Sequence, residues 1–227
     1  MTEADLAAEK LLTRRLSEFL PGSLVIGEEA CAADSKILQR LGGDAIWIVD
    51  PIDGTMNFVR GKREFAVMVS LVRKSETIAA WIYRPTERQL VSAELGGGAF
   101  TDGVRLEATG SPRALDQLKL AIHPRYFPAD LRAQIERALP RFLHTKSSYC
   151  AAVEYQAIVT GKSDGSLYWQ LYPWDHAAGV LIVSEAGGRA AYLDGSAYSP
   201  IANRPGLLVL RDPQLWAIVH DTLLRAD

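Results

Sequence analysis

At 227 residues the chain is long enough to bury a full core, as one large domain or as two lobes. It is 48% hydrophobic and 23% charged, with 25 basic against 27 acidic residues, so it lacks the basic excess of a dedicated nucleic-acid binder. No apolar run reaches membrane-spanning length, the start has no leader pattern, and the isolated Cys31 and Cys150 form no framework; a cytoplasmic chain with reduced thiols and no membrane partner is expected.

Thr2 to Leu20 reads as a helix, with Leu6, Leu11, Leu12, Leu16, Phe19, Leu20 and Ala8 as its apolar stripe. Thr2 caps it, Asp5 stands in the capping-box position, and Pro21-Gly22 ends it. Asp5 and Glu9 lie one turn apart, and the solvated face is their ordinary role; support of a metal site from behind its ligands is the alternative open to Asp5. Leu24-Val25-Ile26 is a short buried strand that runs into Gly27-Glu28-Glu29, so a strand delivers acids at its end. Asp34 to Leu41 reads as a short helix closed by Gly42-Gly43.

The next strand, Ala45 to Val49, ends at Asp50, and Pro51 is expected to stop the pairing by removing a donor. Asp53, Gly54, Thr55, Met56, Asn57 and Phe58 follow, with a short helix opening after the glycine. Paired carboxylates are hard ligands that suit Mg²⁺. Free N–H groups at a helix start beside a glycine make an anion site. Together they describe a phosphate held through metal. Asp50 and Asp53 taken alone could equally cap a turn; that alternative leaves Gly54, Thr55, Asn57 and Phe58 to coincidence.

Phe65 to Val72, Thr77 to Tyr83, Gln89 to Ala93 and Ala99 to Thr101 are strands separated by short turns, which makes an antiparallel meander. Gly96-Gly97-Gly98 lacks the spacing and the Lys-Ser/Thr of a phosphate loop and reads as a hairpin. The first half, residues 1–110, is therefore α+β. After Pro112 the pattern alternates: strand 118–122, helix 131–139, an extended stretch from Phe142, helix 150–160, strand 165–168, helix 175–185, strand 207–210 and helix 215–224. Residues 111–227 form an α/β half. Gly161-Lys162-Ser163-Asp164-Gly165 fits a nucleophile elbow in letters, yet a helix precedes it and a strand follows, the reverse of what an elbow requires. The four histidines have no zinc spacing. Asp175 opens a helix of small residues in Trp174-Asp175-His176-Ala177-Ala178-Gly179, which ends at Glu185-Ala186-Gly187-Gly188. An N-cap is its ordinary role; close packing of the small residues could instead bring it to the first acids.

Three motifs in order, Gly27-Glu28-Glu29, Asp50 to Phe58, and Trp174-Asp175 with its Glu-Ala-Gly-Gly ending, resemble those of the inositol monophosphatase family. That family lies in the lithium-sensitive, Mg²⁺-dependent sugar-phosphatase group with fructose-1,6-bisphosphatase. The resemblance spans nearly the whole chain. It implies a layered α/β sandwich of order αβαβα, a homodimer, and hydrolysis of a small phosphate monoester with two or three Mg²⁺. Glu28, Asp50, Asp53, Asp175 and the Ile52 carbonyl are implied as metal ligands. Thr55 and Glu28 are implied to orient and deprotonate the attacking water, and Asp53, Gly54 and Thr55 to meet the phosphate.

The family's substrate-contacting Gly-Thr-Ala run corresponds to Tyr149-Cys150-Ala151, and an inositol-contacting Glu to Tyr168. Tyr149, Ala151 and Tyr168 are therefore expected at the substrate pocket, with packing roles open for the two tyrosines. Inositol monophosphate is the leading substrate; histidinol phosphate, another sugar phosphate and a nucleotide 3′-phosphate stay open. A metal-stabilised, protein-binding regulator with little activity is the alternative of another class. Relatives carry a further helix and loop ahead of residue 1, which can fold over the metal site. Whether by natural deletion or by a late start, without them a weakly held additional metal should be less enclosed, and apolar surface that the preceding helix normally covers should be exposed or used for association.

Overall fold

The protein is described here by a computed structural model covering residues 1–108 and 114–224. Strand β2 (Ile46–Asp53) is buried along its whole length, as an unbroken apolar run demands. It pairs in parallel with β1 (Leu24–Gly27) and antiparallel with β3 (Ala66–Arg73). The chain then meanders through β4 (Glu76–Arg84), β5 (Gln89–Glu94), β6 (Gly98–Thr101) and β7 (Val104–Leu106), giving a seven-stranded sheet in sequence order. The second sheet runs β11-β12-β10-β8-β9, built from β8 (Lys119–Ile122), β9 (Leu143–Thr145), β10 (Gly165–Tyr168), β11 (Arg189–Tyr192) and β12 (Leu207–Leu210).

Helices α5 (Ala151–Val159) and α6 (Pro173–Glu185) lie between the sheets. Their Tyr155, Ile158, Ala178 and Ile182 share one core with Met68, Ile82 and Val91 of the first sheet and Leu207 and Val209 of the second. Outside the second sheet, α4 (Ala129–Ala138) and α7 (Trp216–Leu224) bury Ile135, Trp216, Val219 and Leu223 against Leu120, Leu208 and Leu210. Outside the first sheet lies α1 (Glu3–Phe19), while α2 (Glu28–Ala33), which follows β1, buries Cys31 in one cluster with Ile26, Ile48 and Trp174. The result is the expected αβαβα layering, with a short helix α3 (Thr55–Val59) at the end of β2.

Several local expectations are corrected. Strand β2 does not stop before Pro51. It runs to Asp53, because Asp50 pairs with Met68 and Asp53 with Ala66, leaving one extra residue in β2 as a bulge. The missing Pro51 N–H is harmless there, since β1 pairs with β2 only as far as Val49. Helix α1 turns Asp5 and Glu9 inward, both buried, while Leu6, Leu11 and Phe19 are exposed. The segment Ser35–Arg40 is 3₁₀ rather than α-helical. Helix α6 starts at Pro173, so Asp175 is inside the first turn and is not its cap. Strands β7 and β11 and helix α2 carry too few apolar residues to stand out in the sequence. The glycine hairpin is structural: Gly96 and Gly98 N–H groups each donate to the Glu185 carboxylate at 2.8 Å.

Candidate functional site

The bulge decides where the acids point. In a regular strand, residues three apart face opposite sides of the sheet. The extra residue between Asp50 and Asp53 restores a common side, so both carboxylates meet at the end of β2. Register brings the third. Gly27 pairs with Val49, so Glu28, the first residue of α2, emerges beside Asp50. Asp175, in the first turn of α6, is the fourth. Asp50 lies within hydrogen-bonding reach of both Glu28 and Asp175.

Backbone donors pin these acids. Asp50 Oδ1 accepts from Ile52 N–H at 2.9 Å. Asp53 Oδ2 accepts from Ala152 N–H at the start of α5, at 2.6 Å, and from Cys150 Sγ at 3.1 Å. Cys150 is thus a structural partner of Asp53, and its thiol is pushed well above its ordinary range by burial and by the charge of Asp53. Gly54 has φ 84°, and a Cβ there would stand 2.8 Å from the Glu64 carbonyl, so only glycine fits the turn that follows Asp53. Asn57 Nδ2 bridges the Glu64 and Ser148 carbonyls at 2.8 Å each, tying α3 to the segment before α5.

The acids repel one another. Burial first, then the neighbouring acids Glu29 and Asp53, raise the Glu28 carboxyl to about 7. Burial and the charges of Asp53, Asp175 and Glu28 push Asp50 well above the usual carboxylate range. Asp53 and Asp175 are also raised, chiefly by burial. Among the described residues, no group of three or more His, Cys, Asp or Glu side chains is already closed as a metal cage. The chemistry of the donor set nevertheless fits a hard divalent cation. The convergent atoms are carboxylate oxygens, joined by the Ile52 carbonyl on the same cleft, with no thiolate or imidazole free to select a softer metal.

Thr55 Oγ1 sits 3.1 Å from the Ile52 carbonyl and 3.4 Å from Asp5 Oδ1, so its one proton serves either acceptor. These residues line an open cleft of about 1150 Å³, rimmed by Arg60, Lys62, Arg125 and Lys146. Tyr149 reaches the same cleft. It and Ala151 and Tyr168 also line an adjoining chamber that shares Asp53 and Asp175 with the cleft. Two features escape the sequence reading: the basic rim, and buried Glu154, which accepts from Ser147 Oγ at 2.6 Å and Ser148 N–H at 3.1 Å. Glu154 could have been found as an acid sharing a face with apolar residues; the rim is scattered along the chain and leaves no such pattern.

The pattern of the inositol monophosphatase family matches residues 1–220. The chain belongs to the inositol monophosphatase family. Inositol-1-monophosphatase of Bacillus subtilis (strain 168) is 28% identical over 229 residues, covering 100% of this chain and 84% of the relative. Nus factor SuhB of Escherichia coli (strain K12) is 31% identical over 192 residues, covering 83% and 70%. The crystal structure of extragenic suppressor protein SuhB from Bartonella henselae superimposes with a TM-score of 0.86 at 27% identity, over 100% of this chain and 85% of that one. As a member of the inositol monophosphatase family the chain is a phosphatase, a phosphoric monoester hydrolase. The family is generally Mg²⁺-dependent. Among the described residues no helix is long and apolar enough to cross a membrane.

Proposed function

We propose that this chain hydrolyses the phosphate monoester of a small polyol or sugar, with Mg²⁺ held by Glu28, Asp50, Asp53, Asp175 and the Ile52 carbonyl. The convergence of four carboxylates from three separate segments on one cleft carries the reading. Two or three ions suit that many acids. When bound, they offset the repulsion among the acids, hold the phosphate and make water more acidic. Thr55 Oγ1 orients the attacking water, and Glu28 takes its proton. Gly54 and Thr55 N–H groups face the phosphate oxygens. Arg60, Lys62, Arg125 and Lys146 draw the dianion into the cleft.

In this division of labour residues 1–110 supply metal and phosphate contacts, and residues 111–227 supply Asp175 and the walls around the alcohol. Inositol monophosphate is supported by the names of several relatives. A second reading, a protein-binding regulator, is favoured by the name of one relative, Nus factor SuhB. The intact acid set with Thr55 weighs toward hydrolysis, since binding alone has no need of it. Exposed Leu6, Leu11 and Phe19 on α1 support association as a homodimer, which we place in the cytoplasm. The test is phosphate release from inositol 1-phosphate and other small esters, with and without Mg²⁺. Release that requires Mg²⁺ and is lost in Asp53→Asn supports the reading; release that persists in the variant refutes it.

A further inference from the structure

Glu154, 7% exposed, is a buried acid outside the metal-ligand set. It lies in the first turn of α5, and among the described residues no ion pair offsets its charge. Its Oε1 accepts from Ser147 Oγ at 2.6 Å and from Ser148 N–H at 3.1 Å, and stands 3.3 Å from Ser148 Oγ. The Tyr168 hydroxyl of β10 lies close enough to act on the same carboxylate. Burial pushes the carboxyl up, and Ser147, Tyr168 and Ser148 draw it back. A carboxylate buried without a cation persists only where its donors are fixed, so Glu154 and the turn before α5 hold each other in place.

That turn, residues 147–150, reaches the acid cleft through its own hydrogen bonds. Ser147 Oγ accepts from Tyr149 N–H at 3.1 Å, which holds Tyr149 at φ 57°, a left-handed backbone that a bulky residue rarely adopts. The Ser148 carbonyl accepts from Asn57 Nδ2 at 2.8 Å and so fixes α3, the helix that Thr55 opens. Cys150 Sγ and Ala152 N–H both donate to Asp53 Oδ2, at 3.1 and 2.6 Å, and the Ala151 N–H acts on the same carboxylate. Asp53 thus sits against the start of α5, where the helix favours its negative charge. Which way this acid faces depends on where α5 begins. That position is tied to the turn by Glu154, whose side chain closes back onto it from one turn further along the helix.

Resting on the reading of Asp53 as a metal ligand, we propose that Glu154 is a positioning residue for phosphate ester hydrolysis: it anchors the turn of residues 147–150 and, through that turn, the start of α5 that aims Asp53. The role calls for an acceptor rather than a charge. Glutamine offers a carbonyl oxygen to Ser147 Oγ and Ser148 N–H, and its amide can donate to the Tyr168 hydroxyl. Alanine leaves both donors without their acceptor and frees the turn.

The test compares wild type, Glu154→Gln, Glu154→Ala and Ser147→Ala. One readout is hydrogen exchange of the Ala152 amide, followed by NMR in protein freed of divalent ions. Exchange should be about tenfold or more faster in Glu154→Ala and close to wild type in Glu154→Gln. The other is Mg²⁺-dependent phosphate release from inositol 1-phosphate. Glu154→Ala should lower kcat and raise the Mg²⁺ midpoint, each by about tenfold or more, with a smaller change in KM. Glu154→Gln should restore both. Ser147→Ala, which removes one donor and leaves the acid, should fall between them and stands in for Glu154→Ala if that variant does not fold. Fast Ala152 exchange with lost turnover, both restored by glutamine, supports the proposal. A folded Glu154→Ala, or Ser147→Ala in its place, that keeps wild-type kcat and Mg²⁺ midpoint overturns it, whatever its melting temperature. Equal loss in Glu154→Gln and Glu154→Ala also overturns it, because charge would then be what matters. Fast Ala152 exchange in Glu154→Ala, beside wild-type release that needs no Mg²⁺, overturns the metal reading of Asp53 and keeps the anchoring of the turn.

Discussion

In protein freed of divalent ions, stability should fall as pH rises from about 5 to about 8, and Glu28 sets part of that slope. Burial, with the charges of Glu29 and Asp53, raises its carboxyl from 4.5 to about 7. Across that window the folded chain keeps a proton that the unfolded chain has already released. A carboxyl raised in this way costs no stability below the unfolded value and its whole penalty above the folded one. Unscreened, the rise corresponds to about 3 kcal/mol. Glu28 is partly exposed, and solvent screening reduces the figure to about 1–2 kcal/mol. About 1 kcal/mol moves the melting temperature of a chain this size by about 2–4 °C, so Glu28 alone accounts for about 2–8 °C. Asp50, Asp53 and Asp175 are raised in the same sense and steepen the fall.

The assay is thermal unfolding by circular dichroism in chelator, with wild type and Glu28→Gln. Glutamine is neutral at every pH, so the variant should be flatter by Glu28's share and more stable than wild type at about pH 8. Added Mg²⁺ should raise the wild-type melting temperature more at about pH 8 than at about pH 5, since protons and the ion compete for the same oxygens. The reasoning is refuted if wild type and Glu28→Gln share one pH slope, or if Mg²⁺ stabilises equally at both ends.

Two further outcomes bear on packing and chemistry. A Cβ at Gly179 would lie 2.1 Å from the Tyr155 ring, which is fully buried between α5 and α6, so Gly179→Ala should destabilise by about 1–3 kcal/mol in denaturant unfolding. An unchanged midpoint would mean that the two helices can move apart. Thr55→Ala removes the hydroxyl between the Ile52 carbonyl and Asp5, and should lower kcat by about 10²-fold or more with a smaller change in KM. Equal loss in both constants would assign Thr55 to packing.

What the sequence made legible was local. Apolar runs ending in acids mark β1 and β2, and the strict order of Asp50, Asp53, Gly54 and Thr55 marks the candidate site. What it hid depends on distant partners. Pro51 reads as a stop, and only pairing with Met68 and Ala66 turns it into a bulge that aligns Asp50 with Asp53. The periodicity of α1 defines faces but not which of them turns inward. Leu12, Leu16 and Leu20 share a face with Asp5 and Glu9, and this mixed face packs inward while Leu6, Leu11 and Phe19 stay outside. The chamber's rings come from positions 123 to 176 on separate segments, so its character exists only in the fold.

The inward acids of α1 explain how Glu28 is held. Glu9 Oε2 accepts from Glu29 N–H and Oε1 from Ala30 N–H, each at 2.9 Å, at the start of the helix that Glu28 opens. The Glu9 carboxylate also lies flat against Gly27, where an added Cβ would stand 2.2 Å from it. Negative charge at a helix N-terminus is favourable, and Gly27 offers no side chain to do that job. Glu9→Ala would leave two backbone donors unpaired beneath Glu28, at a cost of about 1–3 kcal/mol. Glu28 would lose its fixed position, and Mg²⁺ affinity should fall with it by about tenfold or more. Glu9→Gln keeps one good acceptor and should fall between the two. Melting temperature and a Mg²⁺ titration followed by Trp fluorescence separate the effects. If Glu9→Ala lowers the melting temperature and the Mg²⁺ midpoint does not move, Glu9 serves the fold alone, and Glu28 owes its position to β1 and β2.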